Sequence, residues 1–194
     1  MTTAIGLILV VFSVAEIHAQ PKAAPDPWFG RSSKARDFYP AKLPWKIFTI
    51  ELPDDWQIVP GFASTLLTIA EKGSGNQPAG AIVIEHTSNV LPLGPNDVDA
   101  RLARNEADFM ASRDPGATKF ASEAKDVNNR RFVLIQYSRP GLFGPDHVAV
   151  YVFPAGKAMY RLICITPEAQ LASKYQAICA HVASSFNPVT DTAK

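Results

Sequence analysis

Apolar and polar residues alternate along much of this chain, and changes in their period divide it into strands and helices. Phe48, Ile50 and Leu52 alternate with Ile47, Thr49 and Glu51, which predicts a strand with one apolar face. Pro53-Asp54-Asp55-Trp56 follows as a turn. Residues 64–71 and 80–87 give two more strands, joined across Gly73-Ser74-Gly75-Asn76 by a hairpin with a long loop. Pro92 and Pro95 break the pattern, after which Asn96 or Asp97 can cap a helix running to about Arg113. That helix carries Val98, Leu102, Phe109 and Met110 on one face and Arg101, Arg104 and Asp108 on the other. Asp114-Pro115-Gly116 ends it.

Strand periods then return. Residues 118–127 and 130–138 flank Asn128-Asn129, and residues 147–153 and 158–166 flank Pro154-Ala155-Gly156-Lys157, which predicts two hairpins. The runs from Phe132 to Ile135 and from Val148 to Phe153 are apolar on both faces, the mark of strands covered on both sides. Tyr160-Arg161-Leu162-Ile163-Cys164-Ile165 leads into a closing amphipathic helix that ends in Ala183-Ser184-Ser185-Phe186. Thr166 is placed to cap this helix, Pro167 suits its first turn, and Glu168 lies where the helix dipole favours an anion. The fold class is therefore α/β of the α+β kind, with a mainly antiparallel sheet of about six strands and two main helices. No internal repeat is present.

Composition narrows the setting. With 194 residues, 47% hydrophobic and 19% charged, the chain suits one globular domain. A net charge of +1, with both signs interspersed, gives no electrostatic pull toward nucleic acid. The apolar run at residues 4–15 is too short to cross a bilayer, and Ala15 and Ala19 close small-residue cleavage sites. This is the pattern of a signal peptide over residues 1–19, although Met1-Thr2-Thr3 supplies no basic residue. An uncleaved hydrophobic anchor is the alternative; cleavage would leave no membrane span and a charge of +2. Residues 20–44, with five prolines, read as an extended leader, mobile or laid along the surface. Residues 45–187 form the domain and 188–194 a tail. The expected location is the periplasm or the outside of the cell. In such an oxidising compartment the only two cysteines, Cys164 and Cys179, default to a disulfide, worth about 3 kcal/mol by loop entropy. Two buried free thiols are the alternative.

The opening Phe48-Thr49-Ile50-Glu51-Leu52-Pro53-Asp54-Asp55-Trp56, the mid-chain helix, the run of hairpins and the closing helix with Tyr175 and Ser185-Phe186 resemble the PsbP-like superfamily. That group includes extrinsic photosystem II proteins, a Ran-binding nuclear import factor, and bacterial secreted proteins of the DcrB and LpqN type. The resemblance implies an α-β-α sandwich over residues 45–187 and brings no catalytic residue with it. A secretory segment argues against the nuclear role, and the photosynthetic leader is not recognisable.

Candidate chemistry is sparse. His86, His147 and His181 lie on separate elements without metal-ligand spacing, and His18 leaves with the signal peptide. Glu85-His86 and Asp146-His147 read as surface or strand-end pairs. No Gly-x-Ser-x-Gly is present, and Gly73-Ser74-Gly75-Asn76 lacks the helix and lysine of a phosphate loop. Catalytic, cofactor and metal residues are therefore expected to be none. Leu142 and Phe143 sit at a loop tip in Gly141-Leu142-Phe143-Gly144-Pro145-Asp146. Folding back over the core is expected of them, because exposing two large apolar side chains is costly. If exposed, they become candidate partner contacts together with Trp28 and Phe29 of the leader. The expected function is a non-enzymatic binding or accessory role with an unidentified partner, such as a cell-envelope protein. A carrier with an apolar cavity, or an enzyme with a site not visible as a motif, are the alternatives.

Overall fold

Side chains that alternate along the long central strands build two separate apolar layers, one on each face of a single sheet. The computed structural model describes residues 38–41, 43, 47–59, 65–72, 80–88, 93, 95–127 and 130–188. The apolar N-terminal run, Trp28, Phe29 and Trp45 lie outside the described residues, as do the Gly73–Asn76 and Asn128-Asn129 turns. In chain order the strands before the first helix are β1 (Phe38–Pro40), β2 (Phe48–Thr49), β3 (Glu51–Pro53), β4 (Trp56–Val59), β5 (Leu67–Glu71) and β6 (Ala81–Ser88). Helix α1 (Ala100–Arg113) leads to β7 (Thr118–Val127), β8 (Arg130–Gly141), β9 (Gly144–Ala155) and β10 (Ala158–Pro167). Helix α2 (Gln176–Ser185) and β11 (Asn187–Pro188) close the described chain.

The main sheet has seven antiparallel strands in the order β4-β5-β6-β10-β9-β8-β7. Two meanders meet where β10 pairs with β6, and α1 connects them. The expected first strand, Phe48 to Leu52, does not join this sheet. It divides at Ile50, with β2 pairing to β11 and β3 to β1, while β4, which starts at Trp56, takes the sheet edge. Phe38–Pro40 of the leader thus lie on the domain as strand β1.

One apolar layer holds Phe132, Leu134, Tyr151, Leu162 and Cys164 beneath Ile178, Cys179 and Val182 of α2. The other holds Val133, Ile135, Val150, Val152 and Ile163 beneath Ala103 and Met110 of α1. The result is an α-β-α sandwich. Cys164 of β10 and Cys179 of α2 are joined by a disulfide across a 6.1 Å Cα separation, within the usual bonding range.

Both helix starts differ from expectation. Asp99, not Asn96 or Asp97, caps α1, its Oδ1 accepting from the Leu102 amide at 2.9 Å. Asn96 and Asp97 lie in a preceding 3₁₀ turn, which lets Val98 drop into the core ahead of the helix. The buried side of α1 is Ala103, Glu106 and Met110, whereas Phe109 is 40% exposed at its margin. At the other end, Thr166 caps nothing: its hydroxyl donates to the His147 carbonyl at 3.4 Å, and Pro167 remains in β10 opposite Asp146. A 3₁₀ turn (Glu168–Gln170) and a π turn (Leu171–Tyr175) precede α2. These turns aim the Tyr175 ring inward, where it meets Trp56 edge-on, donates to Glu71 at 2.8 Å and accepts from the Gly80 amide at 3.2 Å.

Two ion pairs fasten α1 to the sheet. Glu106 accepts two bonds from Arg161 of β10, at 2.7 and 3.0 Å, with both side chains buried. Arg113 grips Glu85 of β6 through two bonds of 2.7 Å. The Phe109 ring packs beneath both guanidinium groups, 4.5 Å from that of Arg161 and 5.4 Å from that of Arg113.

Candidate functional site

Among the described residues the most exposed apolar feature is built by the longest hairpin. Strands β8 and β9 stay in register to their end, pairing Arg139 with Asp146, Pro140 with Pro145 and Gly141 with Gly144. Only Leu142 and Phe143 remain to make the turn. Gly144 has φ of +125°, a conformation that side chains disfavour, and a Cβ at Gly141 would lie 2.6 Å from the Asp146 carboxylate. Both glycines are therefore required by this tight turn.

The expectation that Leu142 and Phe143 fold back over the core is overturned. Leu142 is 97% and Phe143 65% exposed. The reason is geometric: pairing as far as Gly141 and Gly144 carries the turn beyond the body of the sheet, out of reach of the apolar layers. Leu142 and Phe143 are thus an exposed apolar tip on a hairpin paired to its last residues.

Below the tip, Arg139 organises the charged groups. Its guanidinium donates to Asp114 at 3.0 Å and lies 3.7 Å from Asp146. Burial raises the Asp146 carboxyl above its ordinary pKa, opposed by Arg139. The Tyr137 phenol is pushed up to about 12 by burial and the neighbouring Asp114 charge. Glu85 holds the Arg113 guanidinium above its usual value. On the neighbouring edge, the Lys119 ammonium bonds Glu168 at 3.2 Å and lowers its pKa, while burial lowers that of His147. Lys119 itself has φ of +58°, within a β-bulge that places the Phe120 ring on Tyr137 at 4.7 Å.

Two hollows share Arg139 and Ile165 as lining. One, of about 560 Å³, follows the hairpin tip. The other, of about 310 Å³, lies between the end of α1 and the sheet, with Val83, Met110 and Ile163 as floor and Glu85 and Arg113 at its rim. The arrangement can take up an apolar group beside paired charges. The charged groups at this end of the sheet bond one another, Arg113 with Glu85 and Arg139 with Asp114.

The other candidates separate. Glu85 and His86 point to opposite faces of β6: Glu85 is buried under α1, and His86 is exposed on the α2 side, its ring 4.9 Å from Tyr160. The surface-pair expectation therefore fails for Glu85. His181 meets Glu51 at 2.8 Å and stacks on Phe38 of β1. Among the described residues no group of three or more His, Cys, Asp or Glu side chains could hold a metal ion, and no helix is long and apolar enough to cross a membrane. The hollow beside α1 has no local signal in the sequence, where Asp114 reads only as a helix end and Arg139 lies just past the strand expected over residues 130–138. The proline and glycine pairs around Leu142-Phe143 were the one available signal for the tip.

The sheet order, two covering helices and linking disulfide define an α+β sandwich, and comparison places it among known folds. The structure is similar to the cyanobacterial PsbP protein CyanoP from Synechocystis sp. PCC 6803, with a TM-score of 0.57 at 14% identity, covering 78% of this chain and 92% of that one. It is also similar to LpqN, involved in cell envelope biogenesis of Mycobacterium tuberculosis, with a TM-score of 0.52 at 14% identity over 79% of this chain and 92% of LpqN. The fold is PsbP-like. No family model matches the sequence, and no match is found among curated proteins.

Proposed function

We propose that this is an exported, non-enzymatic binding or accessory protein of the cell envelope, which engages a protein partner through the β8–β9 hairpin tip. The observation that carries the reading is the 97% exposure of Leu142 beside a 65% exposed Phe143. Two large apolar side chains held in water at the end of a fully paired hairpin offer a partner apolar area to bury. The disulfide suits an oxidising compartment, and one structural neighbour is involved in cell envelope biogenesis. Residues 1–19 would direct export, residues 20–44 would add Trp28 and Phe29 to the contact, and residues 45–187 would form the binding domain, followed by the 188–194 tail. The experiment is affinity capture from the native cell envelope, comparing the natural chain with a variant carrying Ser at 28, 29, 142 and 143. Loss of the captured partner with the fold intact is the expected result. Undiminished capture, or catalytic turnover by the purified domain, would overturn the reading.

A second reading, a small-molecule carrier, is favoured by the hollow of about 310 Å³ beside α1, which lies at the lower limit of ligand-site volumes.

A further inference from the structure

The exposed tip and the hollow beside α1 lie at one end of the same sheet face, and Arg139 and Ile165 border both recesses. Their sizes correspond. A hollow of about 310 Å³ has room for one leucine and one phenylalanine side chain together. Its floor of Val83, Met110 and Ile163 is apolar. At the rim both signs interleave, Arg113 with Glu85 and Arg139 with Asp114 and Asp146, so a copy facing itself meets no block of like charge.

Resting on the reading of the tip as a contact surface, we propose that its occupant is a second copy of this chain. The Leu142-Phe143 tip of each subunit enters the hollow beside α1 of the other, in a two-fold homodimer. Because tip and hollow are neighbours, one symmetry axis between them satisfies both contacts at once, which is the condition for a closed, isologous pair.

Sedimentation equilibrium of the chain recovered from the envelope tests this, with two variants. Leu142→Ser with Phe143→Ser removes the tip from a surface turn, and Ile165→Glu places a charge in the half-buried wall of the hollow. A concentration-dependent dimer is expected for the natural chain, weakened about tenfold or more by either change. Mixing the two variants regenerates one tip-in-hollow contact, so the mixed pair associates more tightly than either variant does with itself. A natural chain that stays monomeric, or a dimer unmoved by the tip variant, overturns the proposal whether or not Ile165→Glu folds. A monomer that still needs Leu142 and Phe143 to capture an envelope protein refutes the second copy but leaves the proposed function standing. A monomer whose capture ignores them refutes both.

Discussion

Replacing Glu106 by Gln removes the charge that balances Arg161 inside the protein. Both residues are 6% exposed, and Arg161 donates two bonds to the carboxylate at 2.7 and 3.0 Å. Stranding one member of such a buried pair costs about 3–5 kcal/mol. Arg161 keeps two further contacts, the Thr87 hydroxyl at 3.1 Å and the Phe109 ring at 4.5 Å, which places the expected loss near the lower figure, about 3 kcal/mol. The same physics makes the pair replaceable: Glu106→Leu with Arg161→Met spares both desolvation costs and is expected within about 1 kcal/mol of the natural protein. Urea unfolding of Glu106→Gln, and of Glu106→Leu and Arg161→Met singly and together, with the disulfide intact, measures the loss and the coupling directly. The exposed Lys119–Glu168 pair serves as control, since Lys119→Ala should cost under about 1 kcal/mol. A Glu106→Gln loss below about 1 kcal/mol, or a double variant as unstable as the single ones, would refute the claim that this pair is dry.

Three further outcomes follow from the packing. Cys164→Ala with Cys179→Ala opens a crosslink of sequence separation 15 and should lower stability by about 3 kcal/mol, with thiol labelling of the natural protein absent until reductant is added. Gly80→Ala sets a Cβ 2.6 Å from the Tyr175 ring and 3.0 Å from Trp56, both fully buried, so a loss of about 1–3 kcal/mol is expected in thermal unfolding. Burial holds His147 below its usual pKa of 6.5, so the unfolded chain binds the proton first as pH falls. Its contribution is complete above that value and is lost between it and the lower folded value; His147→Gln should flatten this part of the stability profile.

The sheet was legible in the sequence because its two-residue period is strong in the central strands. Phe132 to Ile135 and Val148 to Phe153 are apolar at every position, which required cover on both faces, and both faces are covered. The cysteine pairing followed from a count of two in a chain expected to be exported. Helix starts were less legible. Asn96, Asp97 and Asp99 are all competent caps, and the choice fell to the residue that let Val98 be buried. Phe109 read as core because apolar character outweighs charge in a periodicity count, while Glu106 took the buried position. That substitution works only with Arg161, a partner 55 residues away that no local pattern reveals. The tip misled for a related reason: the cost of exposing Leu142 and Phe143 is real, but hairpin register, set by distant pairing, decided where they point.

The most direct test of the central claim is the affinity of the captured envelope partner for the natural protein and for the Leu142→Ser, Phe143→Ser variant, measured by equilibrium titration. At concentrations where both are monomeric their unfolding curves should coincide, since Leu142 is 97% and Phe143 65% exposed and neither belongs to an apolar layer. The account predicts binding weakened about tenfold or more by the variant. Equal affinities, with both proteins folded, would contradict it.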